Sequence, residues 1–96
     1  MNLKEDAINS YKKTLELESE FADAYLNLGL IFENSGEHNE ALINFERAIE
    51  INPSYAHAHN NLGAVFKELG EYQKAKDCYE KAIEINPNYA AAHNNL

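Results

Sequence analysis

The sequence predicts an all-α protein in which antiparallel pairs of helices are stacked in a row. Three observations lead to this prediction. The chain repeats itself every 34 residues without gaps, and apolar residues inside each unit recur at the spacing of one helix face. Glycine or an Asn-Pro pair also stands where helices are expected to end. Helices joined by turns this short must pack antiparallel.

The repeat defines the domain organisation. Residues 22–55 and 56–89 are identical at 17 of 34 aligned positions. Residues 1–21 match the second half of this unit, and residues 90–96 match its beginning. The prediction is a single array that consists of a half repeat, two full repeats and a truncated repeat. Because repeat units bury their apolar faces against neighbouring units, we expect the chain to be a fragment of a longer array.

Each full unit is expected to contain two helices. In the first, Ala24, Leu28, Ile31 and Phe32 follow the i, i+4, i+7, i+8 spacing of one helix face. A similar apolar stripe marks the second helix. Helices are therefore predicted at residues 3–17, 22–35, 38–51, 56–69 and 72–85, with a short sixth helix from residue 90.

Residues that end helices separate these segments. Gly36 and Gly70 stand where a helix needs a left-handed residue, and Asn2 aligns with both. The second helices are expected to stop at Asn-Pro, at residues 52–53 and 86–87, because the residue before proline is pushed out of the helical region.

Gly29 and Gly63 lie inside the predicted first helices, where glycine costs about 1 kcal/mol relative to alanine. Their recurrence at the same point of both units indicates that another helix passes close by. The alternative is that each glycine lies on the protein surface, where the helix tolerates it. We expect small residues of the second helices to supply the other side of this contact, namely Ala41, Ala48, Ala75 and Ala82.

These features resemble the tetratricopeptide repeat family, whose unit is a helix–turn–helix of 34 residues. The resemblance covers the whole chain and is carried by Tyr25/His59/His93, Leu28/Leu62/Leu96, Gly29/Gly63, Phe32/Phe66, Ala41/Ala75, Phe45/Tyr79, Ala48/Ala82 and Pro53/Pro87. It implies a right-handed superhelical solenoid, crossing angles near +20° and a concave groove lined by the first helices.

The sequence departs from the family pattern at several positions. Tyr or His replaces the family's common tryptophan, and the half repeat has Thr14 and Ser19 where alanine and proline are usual. The AHNNLG and EINP segments are similar to repeats of O-linked N-acetylglucosamine transferases, a likeness that many prokaryotic repeat proteins share.

Composition restricts the possible partners. The formal net charge of −8 argues against nucleic-acid phosphates and against anionic lipid surfaces. No apolar run approaches the length of a membrane span, and the N-terminal segment lacks the apolar core of a signal peptide. We therefore expect a cytoplasmic protein whose partners are proteins or peptides.

The residues with reactive or metal-binding side chains do not form a recognisable catalytic pattern. The four histidines lack metal-ligand spacing, and no glycine-rich phosphate loop is present. His59 and His93 fall on a core-facing family position, which favours a packing role. Cys78 is next to Asp77 and near Glu80, so its pKa should be raised. No enzyme activity, cofactor or metal is predicted.

The leading functional hypothesis is a protein-interaction module that holds an extended peptide or a partner helix in the groove. Asn27, Asn61 and Asn95 recur at the same point of successive first helices, although asparagine is a mediocre helix residue. The resemblance to the transferases implies that these side chains bind a peptide backbone. A polar groove wall, or bonds to neighbouring loops, is the alternative. The residues expected to tune peptide choice are Asp23, His57, Asn60 and Lys67.

Two other functions remain open, namely a self-stacking scaffold and a non-catalytic, substrate-selecting arm of a glycosyltransferase. Head-to-tail self-association is expected if the apolar ends of the array meet. We also expect no binding of acidic chaperone tails, because Lys67 is the sole cation at the predicted groove positions.

Overall fold

The computed structural model describes residues 3–17 and 21–96, and its regular structure in these ranges is entirely helical. The features predicted at Asn2 and Ser19 lie outside the described residues. The helices are α1 (Leu3–Leu17), α2 (Ala22–Asn34), α3 (His38–Ile51), α4 (Ala56–Glu68), α5 (Tyr72–Ile85) and α6 (Ala90–Asn95). The predicted all-α architecture is confirmed.

The first helices of the full repeats end one residue earlier than predicted. After α2, Gly36 adopts a φ of 77° and its amide donates to the Glu33 carbonyl, while the Glu37 amide donates to the Phe32 carbonyl. These two bonds form a Schellman motif. The same pair of bonds follows α4, where Gly70 has a φ of 79°. The predicted left-handed turns at both glycines are confirmed.

The second helices end at the predicted Asn-Pro pairs. Asn52 leaves the helical region with φ −131° and ψ 89°, while its amide still donates to the Ala48 carbonyl. The Asn52 side-chain oxygen then accepts a hydrogen bond from the Ser54 amide. Asn86 repeats this arrangement with the Asn88 amide. Asparagine therefore helps to form the turn as well as preceding the proline.

The helices pack as successive pairs. Helix α2 packs against α3, α4 packs against α5, and α3 contacts α4 to join the two pairs. In the described residues, α1 contacts α2 alone, and α6 contacts α5 and α4. Buried side chains between the helices form the core, namely Leu26, Ala41, Phe45, Ala48, Ala58, Leu62 and Val65.

The close helix contact predicted at the internal glycines is confirmed, and the atoms nearest to each glycine belong to an aromatic ring. A Cβ atom built on Gly29 would lie 2.5 Å from Cε1 of Phe45, and one on Gly63 would lie 2.8 Å from Cε1 of Tyr79. Thus an aromatic ring of the second helix occupies the space that the missing side chain leaves. The predicted alanines Ala41 and Ala48 are fully buried in the core.

None of the described helices combines the length and apolar character that a membrane span requires. In residues 3–17 and 21–96, no group of three or more His, Cys, Asp and Glu side chains comes together in a way that could hold a metal ion.

Candidate functional site

The three first helices, α2, α4 and α6, contact one another in order. They occupy equivalent places in successive repeats, so residues 34 positions apart lie at the same point along neighbouring helices. We call the surface that these helices share the first-helix surface. It brings together residues that are far apart in the sequence.

The predicted row of asparagines lies on these helices, with all three side chains partly buried. Nδ2 of Asn95 donates a hydrogen bond to Oδ1 of Asn60 over 3.3 Å. Nδ2 of Asn61 is buried and has no hydrogen-bond partner among the described residues. One of the three amides is therefore engaged inside the protein, while another has an unused buried donor.

Asp23 and His57 occupy equivalent positions, and each contacts the tyrosine that precedes the next first helix. The Tyr55 hydroxyl donates a hydrogen bond to Oδ1 of Asp23. Burial, followed by the bond to Asp23 and its charge, raises the pKa of Tyr55 to about 12. The His57 ring meets the Tyr89 ring edge-on, with centroids 6.0 Å apart. Both predicted peptide-binding side chains thus also take part in contacts at the repeat boundary.

Asn60 is only 7% exposed, so it lies between the helices more than on an open surface. The equivalent residue Leu26, at another predicted groove position, is buried in the core. Asn60 can therefore affect a ligand chiefly through its hydrogen bond to Asn95.

A pocket of about 450 Å³ opens beside α4, α5 and α6. Its lining includes two of the predicted site residues, Lys67 and Asn95, which come from different repeats. The remaining lining residues were not predicted and are Ala64, Glu68, Tyr72 and Tyr79. A smaller pocket of about 160 Å³ shares Lys67, Tyr72, Tyr79 and Asn95 with it. Tyr79 could have been recognised from the sequence, because it carries a hydroxyl group where the equivalent core residue Phe45 has none.

Burial shifts the pKa of two titratable groups in this part of the fold, of which Tyr79 lines the pocket and Glu33 does not. Burial raises the pKa of Glu33; nearby His38 opposes this effect and Glu68 adds to it. Burial also raises the pKa of Tyr79, with Cys78, Glu33 and Glu68 contributing in the same direction. Burial is thus the main cause of both pKa shifts, and the neighbouring charges are secondary.

A second pocket, of about 430 Å³, is lined by residues of α3, α4 and α5. Cys78 lines it together with Glu46, His59 and Leu62. Burial raises the Cys78 pKa to about 11, with smaller contributions from Asp77 and Glu46. The predicted direction is confirmed, but burial outweighs the carboxylates, and Glu46 contributes instead of the expected Glu80.

His59 and His93 also have a structural contact in common. Nε2 of His59 lies 3.0 Å from the Pro53 carbonyl oxygen, and Nε2 of His93 lies 2.8 Å from the Pro87 carbonyl oxygen. A carbonyl only accepts hydrogen bonds, so Nε2 carries the donated proton in both rings. The expected packing role is therefore supplemented by a bond from each first helix to the turn before it. His93 is exposed, so it is not a core side chain.

Comparison with known proteins relates this architecture to a family. A tetratricopeptide repeat model matches residues 56–89, and a second TPR repeat model matches residues 5–36 and 34–70. None of the curated proteins is similar enough to this sequence to count as a match.

Solved structures share both sequence and fold with the chain. A crystal structure of MamA is 38% identical, with a TM-score of 0.90, and the match covers 98% of this chain and 55% of MamA. YrrB, described as a TPR protein with an unusual peptide-binding site, is 27% identical and has a TM-score of 0.86. The match covers 95% of this chain and 47% of YrrB. The chain thus spans about half the length of these proteins.

A third structure is the first TPR domain of Spaghetti bound to the HSP90 peptide SRMEEVD. It is 26% identical and has a TM-score of 0.92, with 97% of this chain and 74% of that chain covered. The family models together match more than half of the sequence, in agreement with the helix pairs seen in the structure. The chain belongs to the tetratricopeptide repeat family.

Proposed function

We propose that this chain is a protein-interaction module that binds an extended peptide along the first-helix surface. The family and the neighbouring structures support a role in protein interaction, since the Spaghetti domain holds a peptide and YrrB is described as having a peptide-binding site. The observation that carries the proposal is the row formed by Asn27, Asn61 and Asn95 on three successive helices.

The spacing of this row suits a peptide backbone. Packed helices lie about 8–10 Å apart, whereas an extended chain advances about 3.3 Å per residue. Asparagines on neighbouring helices would then meet roughly every third peptide unit. A carboxamide offers both donors and an acceptor, as a peptide unit requires. Such binding is independent of the ligand's side chains.

The unused donor of Asn61 supports this arrangement. A buried N–H without a partner lowers stability, and a ligand carbonyl would satisfy it. Asn95 already donates one hydrogen bond to Asn60, which leaves it fewer free donors for a ligand. We therefore expect Asn27 and Asn61 to contribute more to affinity than Asn95. Asp23, His57, Asn60 and Lys67 would adjust which peptides fit.

The test is the double substitution Asn27→Ala and Asn61→Ala. A ligand is first selected against the wild-type chain from a random peptide library, and affinities are then measured by calorimetry. We expect binding to weaken by about 1–2 kcal/mol, the contribution of about two hydrogen bonds, with helicity and melting temperature little changed.

The matched control is Asn39→Ala on the exposed surface of α3, which should leave affinity unchanged. Unchanged affinity in the double variant, or loss of fold together with loss of binding, would show that these asparagines serve the structure and not the ligand.

A second candidate function is a self-stacking scaffold. Leu3 on α1 is 78% exposed and Leu96 after α6 is 58% exposed. Helices α1 and α6 do not contact each other and lie at opposite ends of the described stack. Head-to-tail contact between copies would cover both leucines. The further alternative, a substrate-selecting arm of a glycosyltransferase, is supported by the AHNNLG and EINP segments alone.

A further inference from the structure

The pocket lined by residues of α3, α4 and α5, which we call the Cys78 pocket, has an apolar interior. It shares no lining residue with the pocket beside Lys67 and Asn95. Its volume of about 430 Å³ lies within the range of ligand pockets, about 300–1,000 Å³. Leu62 is buried, and Ile49 and Cys78 are half-buried. These side chains offer an apolar surface to a ligand at a place that the first-helix surface does not include.

Exposed carboxylates border this apolar interior. Glu46, Glu50 and Asp77 all line the pocket, and Lys81 is the only lysine or arginine among its lining residues. Glu50 and Lys81 already form ion pairs with residues outside the pocket. Glu46 and Asp77 take part in no ion pair of the described residues. A cationic group at the pocket therefore meets two carboxylates that have no cation partner, and charge-assisted bonds to them are strong.

The equivalent positions of the preceding repeat unit have the opposite charge. Thirty-four residues earlier, Lys12 stands in place of Glu46 and Ile43 in place of Asp77. The charged lining residues of the Cys78 pocket are three carboxylates and one lysine, whereas the equivalent positions have one carboxylate and two cations. The acidic border is therefore specific to this boundary between repeats and is not a consequence of the repeat pattern.

We propose that the Cys78 pocket is a second interaction site, which binds a partner protein segment where an apolar side chain stands next to a lysine or arginine. The apolar side chain contacts Ile49 and Leu62, and the basic group pairs with Glu46 and Asp77. An acidic segment is repelled by the same carboxylates, so the charges select the partner. The site includes none of the residues assigned to peptide binding and goes beyond the proposed function.

Disulfide trapping tests this site, because Cys78 is the only cysteine of the chain. The capped peptides Cys-Gly-Leu-Lys, Cys-Gly-Leu-Gln, Cys-Gly-Leu-Glu and Cys-Gly-Ser-Lys are equilibrated as disulfides with the folded chain. Mass spectrometry follows the trapped fraction as 2-mercaptoethanol is increased. We expect the equilibrium constant for trapping of the Leu-Lys peptide to be about tenfold larger than that of the Leu-Gln or Ser-Lys peptide. The Leu-Glu peptide should be trapped least.

A matched control moves the cysteine to the equivalent position of the preceding repeat unit. The variant Cys78→Ser with Asn44→Cys has the same net charge as the wild-type chain, so overall attraction of cations is unchanged. The Leu-Lys peptide should lose its advantage over the Leu-Gln peptide there, because Lys12 and Ile43 stand at the positions of the two free carboxylates.

Charge-matched variants separate the pocket from the rest of the surface. Glu46→Gln with Asp77→Asn should remove the preference for the Leu-Lys over the Leu-Gln peptide at the wild-type cysteine. Glu40→Gln with Glu80→Gln removes two exposed carboxylates of α3 and α5 that do not line the pocket, and should keep the preference. Circular dichroism of each variant checks that the fold is retained.

Equal trapping of the Leu-Lys and Leu-Gln peptides would overturn the proposal, since the carboxylates would then select nothing. Equal trapping of the Leu-Lys and Ser-Lys peptides would also overturn it, because no apolar contact would be needed. An advantage of the same size at the moved cysteine would mean that overall charge explains the effect. Failure to trap any peptide at Cys78 would show that the pocket is closed to ligands. The asparagine row is judged separately, by the calorimetry with the selected ligand.

Discussion

At the scale of the residue, a missing Cβ atom decides how closely two helices of a repeat can pack. Phe45 is fully buried, and its ring fills the space beside Gly29. Tyr79 does the same beside Gly63. The ring cannot move away without disturbing the surrounding core, because protein interiors are close-packed.

We predict that Gly29→Ala destabilises the chain by up to about 2 kcal/mol, as measured by urea unfolding. The added methyl group would gain about 1 kcal/mol of helix propensity, but overpacking against Phe45 costs about 1–3 kcal/mol. The control is Gly29→Ala combined with Phe45→Leu, in which the two costs should be less than additive. A more stable Gly29→Ala protein would contradict this packing argument.

Cys78 provides a second test at this scale. Its pKa is raised from 9.0 to about 11, so at neutral pH the folded chain should contain about 100-fold less thiolate than the unfolded chain. We predict that alkylation by iodoacetamide accelerates near pH 11 in the folded chain and near pH 9 in urea. Burial is the main cause, so Glu46→Gln should lower the folded pKa only slightly.

The same shift affects stability. Since the folded pKa is higher than the unfolded one, the neutral thiol stabilises the fold below about pH 9, and this contribution is lost as pH rises towards about 11. The Cys78→Ala protein should lose less stability over this range. An identical alkaline decline in both proteins would mean that other groups, such as Tyr55, cause it.

At the scale of the element, the turns between repeats are bonded to the helices that follow them. His59 in α4 donates to the carbonyl of Pro53, and His93 in α6 donates to that of Pro87. The prolines thus end one helix, and their carbonyls help to position the next. At the position where the family commonly has tryptophan, His59 and His93 therefore each form a hydrogen bond to a backbone carbonyl.

We predict that His59→Phe, which keeps a ring but removes the donor, lowers the free energy of unfolding by about 0.5–1.5 kcal/mol. His57→Phe is the control on the same helix, because His57 is exposed and contacts Tyr89 only edge-on. Its effect should remain within about 0.5 kcal/mol. Equal effects of the two substitutions in denaturant titrations would argue against the bond to Pro53.

At the scale of the whole molecule, the described stack is elongated, with extents of 37 × 24 × 18 Å. Its stability depends on contacts between neighbouring helices, as in other repeat proteins. The terminal helices are covered on fewer sides than those in the middle. This is the physical basis for the proposed head-to-tail association, which is heterologous and need not close into a ring.

We predict that light scattering detects an apparent mass that rises with protein concentration. Leu96→Asp should suppress the rise, because a charge would have to be buried in the contact. Ile43→Asp is the matched control, since Ile43 is similarly exposed, at 59%, but lies on α3 in the middle of the stack. A constant monomer mass across the range would reject self-association.

Predictions from the sequence were most accurate where the determining interactions are local. Gly36 and Asn52 locate helix ends because a backbone dihedral angle and bonds within a few residues decide them. The first helices were predicted one residue too long, since Ser35 and Leu69 serve as caps. The 34-residue period also predicted the row of three asparagines, but it did not predict their hydrogen bonds.

The sequence by itself determined the repeat, the helices, their order and the close approach at Gly29 and Gly63. Only the tertiary structure decided that Phe45 fills the space beside Gly29, that Asn95 bonds to Asn60, and that Lys67 and Asn95 line one pocket. The physical reason is distance along the chain. Helix formation depends on neighbours within a few residues, whereas these contacts join residues 16 to 35 positions apart and depend on how the helices stack.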